Sequence, residues 1–186
     1  MEFQTRRLLL REIEQSDLMA IHSYASDLDN VIHMTWGPNT MDETKAFIEN
    51  CIRQAHEENR RNFDFAIVLK ETKELIGAIG LYVNPDCTEA MIGWVLRKTH
   101  WNQGFVSEAA LEVLGFGFET LRLHRIVAKC DVVNIGSWRV MEKCGMRLEG
   151  RHIKNRKSRM DSEPWVDEVF YALLEEEWFF KKMGGF

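Results

Sequence analysis

No run in the 186-residue sequence approaches the roughly 20 consecutive apolar residues that a membrane-spanning helix needs, so no spanning helix is expected. The opening residues, Met1-Glu2-Phe3-Gln4, lack the apolar centre of a secretory signal. The four cysteines, Cys51, Cys87, Cys130 and Cys144, are far apart and form no CxxC pair. That excludes the usual zinc spacings and a disulfide framework, and reduced thiols in a soluble cytoplasmic protein are expected, with no metal. Internal repeats, low-complexity tracts and linkers are absent. So are the glycines of the dinucleotide fingerprint and the lysine of the GK[ST] phosphate loop, which disfavours a nucleotide switch. No cysteine or serine stands beside a histidine in a recognisable nucleophile arrangement, which argues against an acyl-enzyme. A formal net charge of -5 argues against bulk binding to nucleic acid and is compatible with a cationic substrate.

What is present is a composition of 45% hydrophobic and 11% aromatic residues, enough for one globular domain over residues 1–186 with a substantial core. Thr5 to Ile13 reads as a first strand, followed by a helix capped by Ser16 or Asp17 and carrying Leu18, Ile21, His22 and Ala25. Thr40 or Asp42 starts a second helix through Ala46, Phe47, Ile48 and Ile52. Phe63 to Leu69, Leu75 to Val83 and Glu89 to Leu96 make an antiparallel meander. A helix from about residue 105, with its apolar stripe repeating through to Leu121, and a strand from Arg125 to Val133 then form a right-handed crossover, which makes the sheet mixed. Met146 to Ile153 and Val166 to Leu174 are further strands around a basic loop at 154–163, and an amphipathic helix follows from Glu175 to Lys182.

The most informative stretch is Trp101-Asn102-Gln103-Gly104-Phe105-Val106-Ser107, which joins a buried strand to a helix. Gly104 permits a sharp turn, and the free amides of the helix's first turn, from about Gln103 to Ser107, form an anion site reinforced by the helix dipole. A second stretch runs from Asn134 through Ser137, Met141 and Lys143 to Gly145-Met146, with Asn134 where a strand ends and a helix begins. An N-cap is the plain role for Asn134.

The first stretch resembles motif A of the GNAT (Gcn5-related) N-acetyltransferases, Q/R-x-x-G-x-G/A, with Trp101, Gly104 and Val106 in the three defined positions. The second resembles that family's motif B, N-x-x-S-x-x-x-x-x-K-x-G-F, ending here in Met146. Tryptophan at the start of motif A, the opening TRRLLLRE, and the closing series Trp165, Asp167, Tyr171, Leu173, Leu174, Glu177 and Trp178 are similar to the RimJ/RimL-like branch, which acetylates ribosomal-protein N-termini and other amines. The resemblance covers Thr5 to Trp178. It implies an α/β (α+β) GNAT fold, with a mixed sheet of about seven strands flanked by helices and splayed between the fourth and fifth, around one parallel crossover.

By the same resemblance, acetyl-CoA would lie in the splay, held by Trp94, Val95 and Leu96 on the strand, by Trp101 to Ser107 at the anion loop, and by Asn134, Ser137 and Lys143. Trp36 would line the acceptor pocket, and Asp167 would orient an acceptor amine or pair with an arginine. The family's acidic tyrosine is replaced by Met141 and its strand carboxylate by Met91. Ser137 is therefore the acid candidate and Glu89, two residues before Met91, the fallback base. The implied activity is acetyl transfer to a primary amine, a peptide N-terminus or a small amine, by direct attack. The alternative is a non-catalytic acyl-CoA sensor. A homodimer is the assembly the resemblance suggests.

Overall fold

The computed structural model describes residues 1–158 and 164–184. Eight strands form one sheet in the order β1-β2-β3-β4-β5-β6-β8-β7, where β1 is Glu2–Gln4, β2 Leu8–Glu12, β3 Asn62–Leu69, β4 Leu75–Val83, β5 Glu89–Leu96, β6 Arg125–Asp131, β7 Arg147–Lys157 and β8 Trp165–Leu174. Neighbours are antiparallel except β5 and β6, which are joined through a helix and run parallel. The helices are α1 (Leu18–Ala25), α2 (Leu28–Val31), α3 (Met41–Ala55), α4 (Phe105–Gly115), α5 (Ile135–Lys143) and α6 (Glu175–Lys182). No helix among the described residues is long and apolar enough to cross a membrane.

The mixed, splayed sheet is as expected, with four local corrections. The expected first strand, Thr5 to Ile13, is β2, and an additional strand, β1, precedes it, the chain turning back at Thr5, whose hydroxyl accepts from Leu8 N at 2.9 Å. β1 carries one inward apolar residue, Phe3, too little alternation to read. Asp17 does not cap α1 with its side chain; its carboxylate binds Arg11 at 2.7 and 2.8 Å. The helix expected to continue to Leu121 ends at Gly115 in α geometry and passes into a π turn over Phe116–Thr120. β7 extends to Lys157, beyond Ile153, because an edge strand with solvent on its free side tolerates charged residues. Residues 159–163 of the expected basic loop lie outside the described residues.

β3 and β4, in the middle of the sheet, are buried on both faces but filled differently. On one face Phe65, Ile67, Ile79 and Leu81 pack with Ile92, Leu96 and the α4 residues Ala109, Val113 and Leu114. On the other, Ala66, Val68, Ala78 and Val95 meet α1 and α3 through Ile21, Tyr24 and Ile48. Strand alternation puts Gly80 and Gly93 on this second face, opposite each other in the β4–β5 register. The small residues leave room there for a cavity.

Candidate active site

β5 and β6 pair only from Glu89, Ala90 and Met91 to Arg125, Ile126 and Val127, and beyond that point they part. Arg97 N donates to Ile76 O at 2.7 Å, so the alternation of an antiparallel ladder turns Met91, Gly93 and Val95 to β4 and Trp94 and Leu96 to the gap. Val95 therefore offers no backbone to a ligand in the gap, contrary to the sequence expectation. The Leu96 carbonyl is also taken, by Trp101 Nε1 at 2.8 Å and Asn30 Nδ2 at 3.2 Å. The N–H and C=O of Trp94 and the N–H of Leu96 are what the strand presents to a bound chain. Trp101 contributes by tying the loop to the end of β5.

Gly104 has φ +79° at the N-cap of α4, and Asn102 also lies at positive φ, +60°. No side chain caps this helix, so the amides of Phe105, Val106 and Ser107 have no intrahelical acceptor. Arg7 braces the loop from below. Its guanidinium stacks 4.3 Å from the Phe105 ring, donates to Gln103 O at 3.0 Å, and is fixed by Glu108 at 2.7 Å. A cavity of about 580 Å³ lies over these amides, and Arg139 and Lys143 of α5 also line it. Three amides at the positive end of a helix with two further cations fit a diphosphate.

Asn134 is the N-cap of α5, and its Oδ1 accepts from Ser137 N at 3.2 Å. Ser137, half-buried, lies beside the Cys130 thiol and lines both this cavity and a second one of about 560 Å³. His33, Met34, Trp94, Val95 and Asn134 are the other shared residues. Burial pushes the thiol of Cys130 up to about 11 and that of Cys144 up to about 12, so both stay protonated near neutrality and neither is a ready nucleophile.

The second cavity is lined in part by Trp36, Phe47 and Tyr24. Its far wall holds two buried carboxylates, Asp131 and Glu168. Arg156 pairs with Asp131 and stands 3.6 Å from Glu168, while Lys129 lies 3.4 Å from Glu168. His33 Nδ1 is 3.4 Å from Asp131 Oδ2. On the sheet side lies Asp64, which accepts from the Tyr82 hydroxyl at 2.7 Å. Burial pushes its carboxyl above the ordinary range, and no ion pair reaches it among the described residues.

Three expected site residues are elsewhere, the first being Gln103, which lines neither cavity because its side chain turns back to donate to Thr99 O at 3.2 Å and its carbonyl accepts from Arg7. Glu89 sits at the zipped end of β5, bound to Arg125 at 2.8 Å, and lines neither cavity. The strand alternation behind its choice holds, but two residues along a strand carry it past the opening. Asp167 is held by Arg151 at 2.6 Å and Lys154 N at 2.9 Å on the β7–β8 hairpin, which lowers its carboxyl, and it lines neither cavity. The sequence reading missed Arg7, Arg139, His33, Asp64, Tyr82, Asp131 and Glu168. Asp64 alone had a local signal, a carboxylate inside the apolar run of β3.

Comparison with known proteins agrees with this geometry. An N-acetyltransferase of uncharacterised role from Bacillus subtilis, YnaD, is 38% identical, covering 96% of this chain and 99% of its own. The crystal structure of a GNAT-family acetyltransferase from Bacillus anthracis superposes with a TM-score of 0.83 at 36% identity, covering 95% of this chain and all of the other. At 22% identity, spermidine N-acetyltransferase from Vibrio cholerae, solved with CoA and spermine, shares the fold with a TM-score of 0.80, covering 93% and 98% of the two chains. A family model described as an acetyltransferase (GNAT) domain matches residues 7–147, and the chain belongs to the GNAT acetyltransferases as an acetyl-transferring enzyme.

Proposed function

We propose that this enzyme moves the acetyl group of acetyl-CoA to a primary amine by direct attack in a ternary complex, in the manner of the RimJ/RimL-like branch. The observation that carries the reading is the meeting of two cavities at Trp94, Asn134 and Ser137, where β5 and β6 separate. One has the amides and cations for a diphosphate, and the other has the room and polar groups for an acceptor.

In this reading the backbone of Trp94 and Leu96 lines up the pantetheine arm, and Phe105, Val106 and Ser107 with Arg139 and Lys143 hold the diphosphate. Positioning of the two reactants supplies much of the rate. The amine nitrogen attacks the thioester carbon, the C–S bond breaks, and Ser137 passes a proton to the departing thiolate while taking one back from solvent. His33 replaces Glu89 as the group placed to take the amine's proton. It lies at the junction of the cavities, and Asp131 at Nδ1 favours the tautomer that leaves Nε2 to accept and stabilises the charge that forms. The protonated thiols give no route through an acyl-cysteine, and four free cysteines suit a reducing cytoplasm.

The test is CoA thiol release from acetyl-CoA over a panel of peptides, amino acids, polyamines and aminoglycosides. Acetyl-CoA-dependent release with at least one amine is expected. CoA binding without release on any amine would overturn the reading.

A further inference from the structure

We infer that the acceptor cavity selects amines carrying a second cationic group, which rests on the Asp64–Tyr82 pair while the reacting amine reaches the gap between β5 and β6. This deepens the proposed function and rests on it. The first observation is a row in the sheet. Asp64 is the register partner of Gly80, and Gly80 of Gly93, so one line across β3, β4 and β5 runs from the carboxylate, past the Tyr82 hydroxyl, to the splay, with a glycine at each of the last two positions. The Tyr82 hydroxyl covers Gly80 beside the carboxylate, and from there to the splay the row is open. A Cβ on Gly80 would collide with the Tyr82 hydroxyl and lie 2.8 Å from Asp64 Oδ1, whereas one on Gly93 would meet nothing within 4 Å and would project into the cavity.

The second observation is charge. Asp131 and Glu168, the other carboxylates of the cavity, are each met by a cation of the protein. Asp64 is 7% exposed and is bonded by two neutral groups, the Tyr82 hydroxyl and the Cys51 thiol, while the nearby Arg60 is engaged by Glu12 at 2.7 and 2.9 Å. A buried carboxylate without a counter-charge is costly until something supplies one. An ammonium ligand does so, and Trp36 and Phe47 along the way suit its methylene chain. Two strand spacings, about 10 Å, separate β3 from β5, and a chain of about four to six carbons between two nitrogens matches that span once hydrogen-bond distances are allowed at each end.

The experiment compares cadaverine with its neutral analogue aminopentanol and with pentylamine, as acceptors and as ligands of the CoA-loaded protein. For the wild type, kcat/KM and affinity for cadaverine are expected to exceed those for aminopentanol by roughly tenfold or more, the value of one charged hydrogen bond. Asp64→Asn keeps an acceptor for the Tyr82 hydroxyl while removing the charge, and should collapse the cadaverine-to-aminopentanol ratio toward one. Gly93→Ala, whose Cβ meets nothing within 4 Å, should discriminate against cadaverine by narrowing the row. A wild type that treats cadaverine and aminopentanol alike overturns the inference, as does an Asp64→Asn protein that retains the wild-type ratio. Should none of the amines release CoA thiol, acetyl transfer to these amines fails, and the binding ratio still decides the cation site.

Discussion

The two cavities are nearly equal in volume, about 580 and 560 Å³, and share a border at Ser137, but they are made from different materials. The first is built mainly from backbone: amides at the start of α4, the unpaired edge of β5, and a glycine at positive φ. Such features have local causes and leave a local trace. The second is built from side chains contributed by the α1–α3 region, β3, β4, β5, β6, β7 and β8, and no short stretch contains enough of them to be recognised. A site that holds a constant ligand can be written in one loop; a site for a variable ligand is assembled from many elements.

The largest effect that would sharpen this contrast is at the shared border. Ser137→Ala is expected to lower kcat by roughly 10²-fold or more with little change in KM for acetyl-CoA, the signature of a proton donor acting in the transition state. Unchanged kcat would remove Ser137 from the chemistry. His33→Gln should lower kcat by a similar order, with the deficit narrowing at high pH, where the amine loses its proton unaided. The charged groups facing His33 are Asp131 and, through Asp131, Arg156. A deficit constant across pH would make His33 a packing residue.

On the backbone-built side, Gly104→Ala forces a side chain into the left-handed region at about 1–2 kcal/mol. A rise in KM for acetyl-CoA of roughly tenfold is expected, with acceptor preference unaltered. If acceptor preference moved as well, the separation of the cavities would fail.

The smallest effect is on stability. Burial raises the Asp64 carboxyl, so the native state keeps its proton to higher pH than the unfolded chain does. Stability is then lost as pH rises from the ordinary carboxylate range through the raised value. Asp64→Asn should therefore raise Tm at neutral pH, on the order of a few degrees, and the gain should vanish in acid, read by thermal melts at both pH values. A loss of Tm at neutral pH would mean the carboxylate stabilises the fold.

Most of the fold was legible because its elements have local signatures. Thr40 caps α3 with Glu43 in a reciprocal box, β3 to β5 fall where their β-rich runs predict, and Gly104 turns where a strand meets a helix. β1 was missed for want of apolar residues, and the end of β7 because an edge strand needs few. The error over Glu89 is more instructive. Alternation gave the correct face, but the point at which β5 and β6 part belongs to the tertiary structure, where β5 meets α4 and β6 meets α5, and no spacing within β5 encodes it.

The sequence by itself determined the elements, the anion loop and the order of helix and strand that yields one parallel pair, since these follow from periodicity, turn chemistry and the handedness of the crossover. Tertiary structure alone decided that Asp64 faces a row of two glycines and that Asp131 lies under His33. Those pairings depend on strand register and on loops folding over the sheet, and such contacts join residues far apart in the chain, with no local interaction to announce them.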